Sequence, residues 1–178
     1  MEGTASGGYS GIHPSAEPRH VKAILLIDHG STRHEANEML VCMASLVQAM
    51  VGERVVVRHA HMELAAPTIG DGFAACVAEG ATEVIAFPYM LSPGKHAMRD
   101  IPRMVADAAA AHPGVECIVT PAFGVHEKLA EVILVRADIE PGRVIAGDDA
   151  CRCWNPGGEV GTCGTGCRAV QQAGATRT

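Results

Sequence analysis

The stretch Ala23-Ile-Leu-Leu-Ile-Asp-His-Gly-Ser-Thr-Arg-His34 reads as a strand running into a turn. Its five leading apolar residues follow one another without helical spacing, the pattern of a strand buried on both faces in a parallel sheet. The run stops at Asp28-His29-Gly30-Ser31. Gly30 permits the tight strand-to-helix turn, and His29 falls at the carboxyl end of the strand, where open α/β sheets place their ligands. A histidine at that position serves either chemistry or a packed, hydrogen-bonded structural role.

Outward from this stretch the chain alternates. Residues 22–28 are the first strand, and His34 to about Met50 is an amphipathic helix with Ala36, Leu40, Met43, Leu46, Val47 and Met50 as its inward stripe. Val55-Val-Val57 begins a second strand that leads to His59-Ala-His-Met-Glu-Leu64, and a helix starts at Ala66-Pro67-Thr68 and runs to Glu79. Thr82 to Phe87 is a third strand. The loop Pro88 to Lys95 precedes a helix around Ile101 to Ala111, for which Asp100 is the expected N-cap. Val115 to Thr120 is a fourth strand and Glu127 to about Asp138 a fourth helix. Four βα units in succession predict an α/β fold, a four-stranded parallel sheet with helices on both faces.

Composition sets the limits. A chain of 178 residues is expected to form one domain. Hydrophobic residues make up 48% and aromatics only 3%, so the core is expected to consist of Ala, Val, Ile, Leu and Met. A net charge of -6 argues against a broad nucleic-acid-binding face, which needs clustered Lys and Arg. No apolar run approaches the roughly 20 residues that span a bilayer, and the expectation is a soluble protein. Residues 1–21 read as a flexible leader. They lack the apolar segment of a secretory signal and the Arg-rich, acid-poor character of a transit peptide.

Parallel order gathers the strand carboxyl ends on one rim. Asp28-His29, His59 to Glu63, Tyr89 to His96 and Gly124-Val125-His126 all fall there. Imidazoles with a carboxylate are the ligand set of a borderline divalent metal such as Fe, Co, Ni or Zn, and neutral imidazole accepts protons near pH 7. A nucleotide- or phosphate-binding domain also places histidines on such a rim. Yet no G-x-G-x-x-G follows the first strand and no G-x-x-x-x-G-K-[ST] occurs. Arg33, His34, Lys95, Arg99 and Arg103 stand around the rim of an otherwise acidic chain. Each alone reads as solvated surface charge; grouped, they suit a polycarboxylate ligand.

Asp28-His-Gly-Ser31 with Glu35-Ala-Asn-Glu38, Ala60-His-Met-Glu-Leu-Ala65 with Pro67-Thr-Ile69, Pro88 to Leu91, Pro93-Gly-Lys-His96 and Asp100-Ile-Pro102 together resemble, in order and spacing, the sirohydrochlorin ferrochelatases. These are small class II chelatases, akin to the cobaltochelatases of anaerobic cobalamin synthesis. The likeness covers about residues 22–138 within a chelatase domain placed at 22–140, and the tail, 141–178, is similar to that of the plant and algal branch. The resemblance implies ATP-independent insertion of Fe(II) into sirohydrochlorin to give sirohaem, a homodimer, and a chloroplast stromal location. Carried over to this chain, it implies His29 and His96 as metal-handling and catalytic residues and Glu63 as their assisting ligand or base. The rim cations Arg33, Lys95 and Arg99 and the backbone N–H groups at Ser31 and Thr32, near a helix N-terminus, are expected to meet the carboxylates of such a substrate. Lys95 stands where the family usually has arginine, which keeps the charge and loses bidentate recognition. Two other readings compete: a cobaltochelatase with the same site, and a tetrapyrrole or metal carrier without catalysis.

Cys42, Cys76 and Cys117 fall in helix or strand patterns and read as buried apolar residues. Cys151, Cys153, Cys163 and Cys167 form C-x-C-x9-C-x3-C in a Gly-rich stretch, a spacing open to zinc, a redox pair or an iron-sulfur cluster. The plant-type resemblance implies a 2Fe-2S cluster. Reduced cysteines without a secretion signal fit an intracellular compartment.

Overall fold

The structure is a computed structural model that describes residues 20–142. The leader residues 1–19 and the four tail cysteines lie outside them. Strand β1 (Lys22–Asp28) is central in a four-stranded sheet ordered β2-β1-β3-β4, with β2 Val55–His61, β3 Glu83–Pro88 and β4 Glu116–Val119. Every pairing is parallel. Val21, assigned to the leader, is held to the sheet, because its carbonyl accepts from Thr82 N–H at 2.8 Å.

The apolar run of β1 does serve both faces. Ala23, Leu25 and Ile27 pack with Ile69, Phe73 and Cys76 of α2 (Ile69–Ala78) and Ile101 and Val105 of α3 (Ile101–Ala110). On the other face Leu26 packs with Val57 and with Leu40 and Ala44 of α1 (His34–Val51). The close seating of α2 depends on Gly72, where a Cβ would come within 2.9 Å of that of Ala60 and 2.8 Å of Leu25 Cδ1. Apolar burial against both faces of β1 is the favourable term that opposes chain entropy.

Several local expectations are corrected. The inward stripe of α1 runs through Leu40, Met43, Ala44, Val47 and Val51, while Ala36, Leu46 and Met50 are exposed to solvent. Helix α2 begins after a Thr68–Asp71 capping box. Asp100 precedes α3 without capping it through its side chain. Cys76 is buried as expected, but Cys42 and Cys117 are exposed. Helix α4 (Glu127–Arg136) has no buried residue, and Val132, Ile133 and Val135 are exposed along it. Among the described residues no helix is long and apolar enough to cross a membrane.

The order 2-1-3-4 has a functional consequence. From β1 the chain moves outward to β2, and from β3 it moves the opposite way to β4. The connections therefore diverge between β1 and β3, and a crevice opens there at the strand carboxyl ends.

Candidate functional site

His29 follows β1 and His96 lies between β3 and α3, so the two flank that crevice. Their ring centroids are 5.3 Å apart with the planes at 68°. A metal bound at about 2.1 Å by one nitrogen of each ring would hold the centroids roughly 5–6 Å apart. The pair is thus set at the separation of two imidazoles sharing one ion. Both are open to an incoming ligand, with side chains 43% and 46% exposed.

Glu63 completes the group. Its Oε2 is 3.7 Å from His29 Nε2, and the backbone shows why. Beyond the last regular pair of β1 and β2 the two chains continue together, Met62 N–H donating to Asp28 O at 2.9 Å and Glu63 N–H to His29 O at 3.1 Å. Gly30 makes this approach feasible. It has φ +81°, and a Cβ there would lie 2.4 Å from Glu63 O.

His96 is aimed by its own helix entry. Residues His96–Asp100 form one wide turn in which Ile101 N–H donates to His96 O, five residues back. Wide turns of this kind concentrate at functional sites. His96 Nδ1 lies 3.0 Å from Asp100 Oδ2, and Arg99 Nε donates to Asp100 Oδ1 at 3.1 Å. The Arg99 hydrogen bond holds the Asp100 carboxyl below the usual carboxylate range; slight burial opposes this and the His96 hydrogen bond reinforces it. An ionised Asp100 fixes the proton of His96 on Nδ1 and leaves Nε2 as the donor atom.

The remaining expected residues have mixed places. Arg33 is the exposed residue before α1, and Lys95 the exposed residue before the wide turn. Arg99 is exposed but engaged with Asp100, and Arg103 is exposed on α3. His34 pairs with Glu38 at 3.5 Å. The Ser31 N–H, expected to meet a substrate carboxylate, is taken by Asn37 Oδ1 at 2.8 Å, and Asn37 Nδ2 returns a bond to Ser31 O at 2.9 Å. Thr32 is exposed beside it. His126, one of the rim histidines, caps α4 by accepting from Lys128 N–H at 3.1 Å.

Two contacts beside the site were missed in the sequence. The His96–Asp100 bond has a visible signal, the i, i+4 spacing, which the capping assignment of Asp100 hid. The second is the contact of the buried His61 Nδ1 with Asp28 Oδ1 at 2.5 Å, which no local spacing announces. Beside it, His59 stacks edge-on to His61 at 5.8 Å. Burial, then the neighbouring His61, lowers the His59 pKa from its ordinary value.

Among the described residues no three His, Cys, Asp or Glu side chains are closed into a metal cage. What the site offers is two half-exposed imidazoles and a nearby carboxylate, groups able to hold a divalent ion weakly and to accept protons.

The profile of the CbiX family matches residues 23–140. The chain is 37% identical over 141 residues to the chloroplastic sirohydrochlorin ferrochelatase of Arabidopsis thaliana, an alignment covering 74% of this chain and 62% of that one. The fold is similar to that of the sirohydrochlorin chelatase SirB from Bacillus subtilis subspecies spizizenii in complex with cobalt, with TM-score 0.61 and 32% identity over 66% of this chain and 50% of that one. SirB from Bacillus subtilis with Fe3+ gives TM-score 0.61 and 30% identity, over 70% of this chain and 50% of its own. The chain thus spans about three fifths of the plant relative and half of each SirB chain.

Proposed function

The chain belongs to the CbiX family, and from that premise we propose that it is a sirohydrochlorin ferrochelatase, inserting Fe(II) into sirohydrochlorin without ATP to give sirohaem. The observation that carries the reading is the convergence of His29, His96 and Glu63 at the crevice between β1 and β3.

The reaction accounts for these residue types. Two pyrrole N–H protons leave the macrocycle as the ferrous ion enters and sheds its water. A site that bound the ion tightly would keep it, whereas imidazoles hold it and take protons as it departs. His96 presents Nε2 because Asp100 occupies Nδ1. His29 presents Nε2 on the side of Glu63, which serves as third ligand or proton acceptor. Arg33, Lys95 and Arg99 are the cations offered to the substrate carboxylates. The Ser31 N–H is spent on Asn37, which leaves Thr32 as the backbone donor of that turn.

A cobaltochelatase is the second reading, favoured by the cobalt-bound SirB relative and by a ligand set that does not separate Fe(II) from Co(II) by geometry. Anaerobic insertion assays with each metal against the spontaneous rate test all readings. A ferrochelatase accelerates Fe(II) insertion, and His29→Ala and His96→Ala abolish the acceleration. Preference for Co(II) supports the second reading, and binding without acceleration in the unmodified protein means a carrier.

Three further parts of the proposal rest on other support. A homodimer is the assembly that the likeness to the small class II chelatases implies. A chloroplast location is supported by the plant relative. Cys151, Cys153, Cys163 and Cys167, outside the described residues, are a thiol donor set of the kind that holds a 2Fe-2S cluster; iron analysis and visible absorption of anaerobically purified protein test it.

A further inference from the structure

His61 is a buried titratable group that the proposed chemistry does not use. Its side chain is 1% exposed, so it can be neither a ligand for an arriving ion nor an exchange site for solvent protons. It is the last residue of β2 and pairs in register with Asp28, the last residue of β1. Its Nδ1 lies 2.5 Å from Asp28 Oδ1.

The same oxygen accepts the Gly30 N–H at 2.9 Å. Asp28 therefore closes two things at once. One bond locks the turn directly after His29, and the other ties down the strand end two residues before Glu63. Gly30 is caught between these parts, since a Cβ on it would meet His61 Cβ at 3.1 Å and Glu63 O at 2.4 Å. Burying an imidazole is costly unless its polar atoms are satisfied, and an apolar residue would fill the same space. What the polar pair adds is a directional link between the two chain segments that carry the metal-handling groups.

We propose that Asp28 and His61 are positioning residues that set His29 against Glu63 for metal delivery. This rests on the reading that His29 and Glu63 handle the metal. Displacing outer groups around metal ligands commonly costs about 10- to 100-fold in affinity.

The test is an anaerobic titration of the full chain with Co(II) alone, followed by visible absorption, alongside binding of metal-free sirohydrochlorin and a thermal melt. His61→Leu removes the donor, and a folded variant is expected to raise the Co(II) Kd about tenfold or more while leaving tetrapyrrole binding within about twofold. His61→Asn keeps an N–H near the Nδ1 position and is expected to recover Co(II) affinity to within about threefold of the unmodified protein. Asp28→Ala combined with His61→Leu is expected to be no worse than the weaker single variant, the signature of two groups acting as a unit. Unchanged Co(II) affinity in folded His61→Leu, equal loss of both ligands, no recovery in His61→Asn, or additive effects would each overturn the proposal. Should His61→Leu not fold, Asp28→Asn reports instead: a Co(II) Kd raised about threefold supports the pair, because the bonds lose their charge assistance, and an unchanged Kd overturns it. Failure of the chelatase reading is distinguishable, because it leaves Co(II) binding intact in the unmodified protein but gives no accelerated insertion.

Discussion

Gly30 lies so close to the main chain of Glu63 that a Cβ added to it would stand 2.4 Å from the Glu63 carbonyl oxygen. Its φ of +81° adds a second penalty for any side chain. Gly30→Ala is expected to destabilise the fold by about 2 kcal/mol or more, combining left-handed strain with the clash. Urea denaturation measures it, and a loss under about 0.5 kcal/mol, the ordinary scatter of surface changes, would show that the two segments separate easily.

Asp100 is predicted to act on metal delivery through His96. Asp100→Asn keeps the shape but gives up the ionised acceptor that holds the His96 proton on Nδ1. The expected result is a rise in the metal KM of about tenfold, with the melting temperature shifted by no more than a few degrees because the pair is on the surface. Equal KM values for variant and parent would detach Asp100 from the site.

The depressed pKa of His59 ties stability to pH. Burial makes this ring harder to protonate in the folded chain than in the unfolded one, whose ordinary value is 6.5. Below that value the unfolded state binds more protons, so the contribution is fully present above it and is lost as pH falls through the lower folded pKa. Urea midpoints are expected to be lower at about pH 5 than at about pH 7.5, and His59→Gln to flatten the difference. Asp71 and Asp100, both lowered, contribute in the same direction only at pH values below the usual 3.8.

Thr68 accepts from Asp71 N–H while the Asp71 carboxylate accepts from Thr68 N–H at 2.9 Å. Thr68→Ala should therefore cost about 1 kcal/mol, read by denaturation, and Thr68→Ser should restore most of it.

The sheet was legible because its strands are interrupted apolar runs, and β1 was read with the bounds it has, Lys22–Asp28. Parallel order put His29, Glu63 and His96 on one rim together with His59, His61 and His126, and the family resemblance singled out the three. What failed was whatever depends on a rotation or a register. Leu46 and Met50 are apolar yet lie off the buried stripe of α1, because a small sheet covers only a narrow strip of so long a helix. Asp100 satisfied the rule for a cap and was spent on His96 instead. Cys117 lies on β4 at the sheet edge, where the strand is largely uncovered. The Asp28–His61 partnership depends on how β1 and β2 slide against each other, which neither segment states by itself.

The wide turn at His96–Asp100 acts as an index stop. Each α-helical residue advances the azimuth by about 100°, so the extra residue lodged there dictates the compass bearing from which His96 looks out, while Ile101 and Val105 keep α3 seated on the sheet. Deleting Met98 would tighten the turn and swing that bearing without unseating the helix. Packing and aiming are thereby decoupled: one end of α3 belongs to the core, and its doorstep is tuned by the length of a single loop of backbone.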